Sequence, residues 1–126
     1  STSSMFGGNS NWRGPVWMPV NYLFIHAMKR YGSFYGDAVK VECPTGSGNW
    51  MSLTDVAEEM VRRLTKIFLP GPTGDRPVYG EYAAFHNDAD RELIQFYEYY
   101  HGETGRGLGA SHQTGWSALI ATLLQP

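Results

Sequence analysis

The sequence predicts a mainly α fold whose functional face is made by loops. Three observations carry that reading. Apolar residues recur at three- and four-residue steps over 15–31 and again over 53–68, the period of one helix face. No series of alternating apolar and polar residues marks out a set of strands. The stretches between the helical patterns are long and rich in glycine and aromatic residues, and long loops in a compact domain usually carry function. With 42% hydrophobic and 17% charged residues in 126 positions, the chain has the composition of one domain that buries a core.

Residues 1–14 lack periodicity and read as a loop. The first helix is expected from Pro15 to Tyr31, with Val16, Val20, Leu23, Phe24, Ala27, Met28 and Tyr31 on its apolar face. Pro15 suits the first helical position, Pro19 still falls near the first turn, and Gly32 reads as the stop. His26 lies at the edge of this face and reads as a packed or exposed side chain rather than a ligand. Residues 33–51 form a long loop around Gly46-Ser47-Gly48, with a short extended piece at Val39–Val41. Ser52-Leu53-Thr54-Asp55 matches a capping box. It opens a second helix to about Phe68, carried by Leu53, Val56, Ala57, Met60, Val61 and Leu64. Its polar face offers Glu58–Arg62 and Glu59–Arg63 pairs, which read as solvated decoration. Pro70-Gly71-Pro72 ends it, and residues 70–88 make a second loop. Asn87 or Asp88 is expected to cap a short helix through Leu93, Ile94, Phe96 and Tyr97, ending at His101-Gly102. Thr114 is expected to cap the last helix, which carries Trp116, Leu119, Ile120, Leu123 and Leu124.

Charge and composition exclude several classes. The net charge is −2 and the lysines and arginines are dispersed, so no nucleic-acid footprint is present. No apolar run reaches the roughly 18 residues of a membrane span. The single Cys43 rules out an intramolecular disulfide, and a reducing, cytoplasmic setting is the expectation. The first residues lack the basic and then apolar pattern of a signal peptide, and with Met5 internal the chain reads as part of a longer protein. His26, His86, His101 and His112 show no zinc-site spacing, so neither metal nor cofactor is expected. Gly109-Ala110-Ser111-His112-Gln113 departs from a nucleophile elbow at Gln113, with no strand expected before it. Gly102–Gly109 lacks the ending of a phosphate loop and is expected to follow a helix.

The chemistry concentrates in Ile94–Trp116, which holds five aromatic residues, two histidines, two acids and five glycines in 23 positions. A carboxylate set among rings suits a pocket that stacks on a sugar. Glu98, flanked by Phe96, Tyr97, Tyr99 and Tyr100, is the candidate. Glu81, in Tyr79-Gly80-Glu81-Tyr82, and Glu103 compete with it. The plain alternative is an exposed Glu98 at the end of an amphipathic helix.

Two stretches resemble a known family. Asn9-Ser10-Asn11-Trp12-Arg13-Gly14-Pro15-Val16-Trp17, followed by Asn21-Tyr22-Leu23, resembles the W-R-G-P-x-W segment of glycoside hydrolase family 63 and its relatives. That group includes processing α-glucosidase I, bacterial α-glucosidases and mannosylglycerate hydrolase. Phe96-Tyr97-Glu98-Tyr99-Tyr100 through Thr114-Gly115-Trp116 resembles the segment near that family's C-terminus. The sequence departs from the better-known glucosidases at Tyr99-Tyr100-His101-Gly102, where they favour a Gln-Tyr-Asp type of ending.

The resemblance implies that residues 1–126 are the C-terminal portion of an (α/α)6 barrel, a catalytic domain larger than this chain. It implies an inverting glycosidase acting on α-linked glucosides or related sugars, with Glu98 as general base and the general acid, an Asp, outside this chain. Trp12, Trp17 and Trp116 then offer apolar faces to the sugar. Arg13 supplies positive charge near Glu98 or bridges to sugar hydroxyls, and His112 and Gln113 are hydroxyl partners. The expected partner is an oligosaccharide or small glycoside, with no nucleic acid and no membrane. A face that normally packs on other barrel helices would drive self-association of the isolated chain. A reading from another class stands beside this one: a non-catalytic carbohydrate-binding or structural helical module.

Overall fold

The computed structural model describes residues 14–81 and 93–125. Within them, two longer helices pack against each other, and two short hairpins and several turns accompany them. In chain order the elements are α1 (Met18–Tyr35), β1 (Lys40–Glu42), β2 (Trp50–Ser52), α2 (Leu53–Thr65), β3 (Tyr99–Tyr100), β4 (Gly107–Leu108), α3 (Thr114–Ser117) and α4 (Ile120–Leu123). The expectation of a mainly helical chain holds.

The first helix is displaced from its predicted span at both ends. Pro15 is not its first residue, because the adjacent Val16 is tied into backbone pairing. Val16 N–H donates to the Tyr100 carbonyl at 2.7 Å and Tyr100 N–H donates to Val16 at 2.9 Å. Pro19 takes the first-turn role instead, where its missing N–H costs nothing. Gly32 does not stop the helix but lies buried inside it. A Cβ there would lie 2.8 Å from the backbone nitrogen of Thr54, so glycine is what lets α1 approach the start of α2. The chain turns out at Gly36, whose φ is +53° and whose N–H donates to Gly32.

The predicted apolar face of α1 also needs correction. The buried residues are Met18, Ile25 and Gly32, a narrow line seven residues apart. Val20, Leu23, Phe24 and Tyr31 point outward, joined by Phe34 at 80% exposure. The helix is apolar on two sides, and only one of them meets this chain's core.

The second helix follows its sequence signal closely. Asp55 N–H donates to Ser52 Oγ at 3.2 Å and Ser52 N–H donates to Asp55 Oδ2 at 3.3 Å, so both halves of the capping box form. Val56, Ala57 and Leu64 enter the core. The helix ends at Thr65, three residues short of Phe68, and Ile67 and Phe68 reach the core from the turns that follow. On the outer face Glu59 takes both arginines, Arg62 at 2.6 Å and Arg63 at 2.7 Å. The expected Glu58–Arg62 pair is replaced, because Glu59 reaches Arg62 at i,i+3 and holds Arg63 at i,i+4. Hydrogen bonds from Arg62 and then Arg63 bring the Glu59 carboxyl down to about 2.

The loop expected over 33–51 contains a hairpin. Lys40 pairs with Ser52, Val41 with Met51 and Glu42 with Trp50. Glu42 then closes the tip by accepting the N–H groups of Gly46 and Gly48, both at 2.8 Å. The last predicted helix is broken into α3 and α4, with Gln113 rather than Thr114 at the N-cap of α3. The core joins α1, α2 and α4 to Val78, Tyr79, Tyr97 and Tyr100.

Candidate functional site

The largest departure from the sequence reading falls on Glu98. The helix expected up to His101 lies partly outside the described residues, and 93–101 are not helical. The segment is extended because its backbone is paired sideways. The Phe96 carbonyl accepts from Gln113 N–H at 2.8 Å, and Glu98 N–H donates to the Ala110 carbonyl at 2.8 Å. Tyr99 pairs with Leu108 and Tyr100 with Gly107. Aromatic residues fit an extended backbone well, and these cross-chain partners take the groups a helix would need. Val16 lies along the other edge of Tyr100. Val16 and Trp17, at the end of the W-R-G-P-x-W stretch, therefore lie beside the Glu98 segment.

Glycines make this convergence possible. A Cβ on Gly107 would lie 2.7 Å from Cε2 of the Tyr97 ring. One on Gly109 would lie 2.6 Å from Glu98 Oε2 and 2.9 Å from Tyr99 Cε1, and the Gly109 φ is +74°. Ala110 N–H, directly after it, donates to Glu98 Oε2 at 3.3 Å. Glu98 is half-buried as a residue, and its carboxylate is seated on the exposed Gly109-Ala110 turn with one oxygen engaged by backbone.

Beside it lies a ring cluster. Trp17 stacks on Tyr99 with centroids 4.6 Å apart and packs tilted on Trp116 at 6.2 Å. Trp17 is 6% exposed and forms the floor, while Trp116 is 36% exposed and Tyr99 half-buried. The faces open to a ligand belong to Tyr99 and Trp116. Tyr99 was visible in the sequence only as one of Glu98's neighbours; its partnership with Trp17 depends on the Val16–Tyr100 pairing, which carries no local signal. His112 is exposed and its backbone pairs with Phe96; Gln113 is half-buried at the start of α3. Trp12 and Arg13 lie outside the described residues.

Beneath the ribbon the polar groups are internally bonded. The Tyr100 side chain is fully buried, and its phenol oxygen accepts from Tyr97 N–H at 3.2 Å. Burial pushes this phenol up from 10.0 to about 12, against the opposing effect of its hydrogen bond with Ser117. The Ser117 hydroxyl donates to the Tyr97 carbonyl.

The competing acids sit elsewhere. Glu81 is exposed after the turn at Gly80. Glu103 is exposed in the turn after β3, where His101 Nδ1 accepts the N–H groups of Glu103 and Thr104, each at 3.3 Å. That turn borders a cavity of about 410 Å³ shared with Asn21, Arg63 and Lys66 of the helices. Ser111 does follow a strand, contrary to expectation, since β4 precedes Gly109. Gln113 remains the departure from a nucleophile elbow. Among the described residues no three His, Cys, Asp or Glu side chains gather as a metal site, and no helix is long and apolar enough to cross a membrane.

A carboxylate on a glycine turn beside exposed rings suits a domain that handles carbohydrate, and comparison with known proteins gives the class: a glycoside hydrolase domain. The chain belongs to the mannosylglycerate hydrolase MGH1-like glycoside hydrolase domain family, whose model matches residues 1–117. An uncharacterized protein of Saccharomyces cerevisiae is 49% identical over 124 residues, covering 96% of this chain and 11% of the relative. The mannosyl-oligosaccharide glucosidase of the same yeast is 28% identical over 120 residues, covering 94% of this chain and 11% of the relative. The family match and the glucosidase relative agree with the resemblance to glycoside hydrolase family 63. The chain thus spans about one tenth of the length of these relatives. No solved structure matches it.

Proposed function

We propose that this chain is the C-terminal portion of the (α/α)6-barrel catalytic domain of an inverting α-glycosidase, with Glu98 as general base. The observation that carries the proposal is the seating of Glu98. One carboxylate oxygen accepts Ala110 N–H, and the side chain shares the Gly109 turn with the ring of Tyr99, which stacks on Trp17. In an inverting enzyme a carboxylate of this kind activates water on one face of the sugar. An acid about 6.5–9.5 Å away protonates the leaving oxygen on the other. That acid is an Asp supplied from outside this chain. Tyr99 and Trp116 stack on the sugar ring, Trp17 supports them, Trp12 offers a further apolar face, and Arg13, His112 and Gln113 make the contacts to hydroxyls. The substrate is an oligosaccharide or small glycoside with an α-linked glucose or related sugar.

The two-sided apolar surface of α1 supports the barrel. Val20, Leu23, Phe24, Tyr31 and Phe34 are the face that further helices of the catalytic domain cover. Separated from them, the chain self-associates through this face. The alternative, a non-catalytic carbohydrate-binding module, draws on the exposed Trp116 face, which serves binding as well as catalysis.

The test uses the full-length protein and its Glu98→Gln variant. Proton NMR follows α-linked gluco- and manno-disaccharides and mannosylglycerate. The expected result is a β-anomer appearing first, with turnover reduced by about 10²–10⁴ in the variant. An α-anomer appearing first, or full activity in Glu98→Gln, would overturn the assignment. Sugar binding without turnover in both proteins would establish the binding module.

A further inference from the structure

We propose that Ser117 is a positioning residue for Glu98, acting through the peptide group that joins Tyr97 to Glu98; this rests on the assignment of Glu98 as base. That peptide is held at both poles. Its N–H donates to the Ala110 carbonyl at 2.8 Å. Its carbonyl accepts the Ser117 hydroxyl, which comes from α3, twenty residues along the chain, and is fully buried. The preceding peptide is held in the same way. Its N–H, on Tyr97, donates to the Tyr100 phenol at 3.2 Å, and its carbonyl, on Phe96, accepts Gln113 N–H at 2.8 Å.

With both peptide planes pinned, the backbone torsions at Tyr97 and the position of the Glu98 Cα are set by these partners, and the pairing of Tyr99 with Leu108 on the far side limits the rotation of the Glu98 Cα–Cβ bond. A general base must be held to roughly 0.5 Å and 10–20° of its working geometry. Ala110 N–H, in an exposed bond at 3.3 Å, is a weak restraint on that geometry. Ser117 has no exposed surface on which a sugar could rest, so its effect reaches the reaction through the groups it holds, of which the Tyr97 carbonyl leads directly to Glu98. It also joins the site to α3: Ser117 holds the Tyr97 carbonyl while Gln113, one residue before α3, holds Phe96.

The test follows fluoride release from α-glucosyl and α-mannosyl fluoride by the full-length protein. Fluoride leaves without needing a general acid, so the rate reports the base and its water. Ser117→Ala, which removes the donor without adding volume, should lower kcat about tenfold or more while leaving KM within about twofold. Ser117→Cys, which keeps a weak donor, should recover part of the loss. In a Glu98→Gln background the added Ser117→Ala should change the residual rate little, because the two act as one unit. Full activity in Glu98→Gln would overturn the base assignment itself. Loss in Glu98→Gln with an unchanged kcat in Ser117→Ala would overturn only the positioning role. Amide hydrogen exchange reads the same restraint without any substrate and decides the matter if neither fluoride is turned over. Protection of Glu98 N–H should fall about tenfold in Ser117→Ala with α2 amides unaffected. Unchanged protection at Glu98, or an equal loss throughout α2, would overturn the proposal.

Discussion

Gly109→Ala probes the seat of Glu98, and the chain contains a matched control for it. Gly109 has φ +74° and Gly46 has φ +80°. An alanine at either position bears the left-handed backbone cost, roughly 1–2 kcal/mol. Around Gly46 a new Cβ meets nothing within 4 Å. Around Gly109 it lies 2.6 Å from Glu98 Oε2, 2.9 Å from Glu98 Cβ and 2.9 Å from Tyr99 Cε1. The carboxylate oxygen can swing aside, but Glu98 Cβ cannot without moving a backbone already bonded to Ala110. Overpacking of this kind typically costs about 1–3 kcal/mol, so Gly109→Ala should be less stable than Gly46→Ala by that margin. The displaced carboxylate should also lower glycoside turnover by about tenfold or more, each tenfold corresponding to about 1.4 kcal/mol at the transition state. Gly46→Ala should leave turnover unchanged. Denaturant unfolding of the two variants beside the parent, with turnover measured on the same preparations, decides it. If Gly109→Ala proves as mild as Gly46→Ala in both assays, the seating of Glu98 described above is wrong.

Two other substitutions test the packing beneath the site. Gly32→Ala gains about 1 kcal/mol of helix propensity but sets a Cβ 2.8 Å from Thr54 N. Overpacking worth about 1–3 kcal/mol should make the net effect destabilising. Adding Thr54→Ala should recover only part of the loss, since the Thr54 backbone remains in place; a stabilised Gly32→Ala protein would refute the close approach. The Tyr100 phenol titrates at about 12 in the fold against 10.0 unperturbed. The folded state therefore binds this proton more tightly, and its stability falls as pH rises from about 10 to about 12. Unfolding midpoints across that range should drop less steeply in Tyr100→Phe, and a slope equal to the parent's would show that Tyr100 is not the group responsible.

The parts of the fold legible in the sequence are those fixed by neighbours along the chain. The Ser52–Asp55 capping box is a four-residue signal and formed with both hydrogen bonds. The apolar period of α2 likewise reports a helix with a single buried side. The first helix misled because it is apolar on two sides. Its period gives the helix, but not which stripe faces inward: Val16 and Met28 of the predicted face pack on the core, while Val20, Leu23, Phe24 and Tyr31 point outward. Gly32 misled for a related reason. A glycine near a helix end reads as a stop, whereas this one makes room for Thr54, which lies on another element. The β1–β2 hairpin was nearly invisible because each strand has only three residues, too few for an alternation to register.

At the site, composition located the chemistry and long-range pairing decided its shape. Glu98 and its rings stood out as residue types, and a helix was a fair reading of Leu93, Ile94, Phe96 and Tyr97 at three- and four-residue steps. That pattern lost to hydrogen bonds with Val16, Gln113 and Ala110, which lie 12 or more residues away from the groups they hold. An extended backbone changes the meaning of the neighbours. On a helix, Tyr97 and Tyr99 would lie on different sides of Glu98 with no fixed partner for either ring. On the ribbon, Tyr97 goes inward to the core and Tyr99 stacks on Trp17. The bond between Val16 and Tyr100 is thus the pivot of the arrangement. It brings Val16 alongside the Glu98 segment, and it sets Trp17, the residue after Val16, under the ring that follows Glu98.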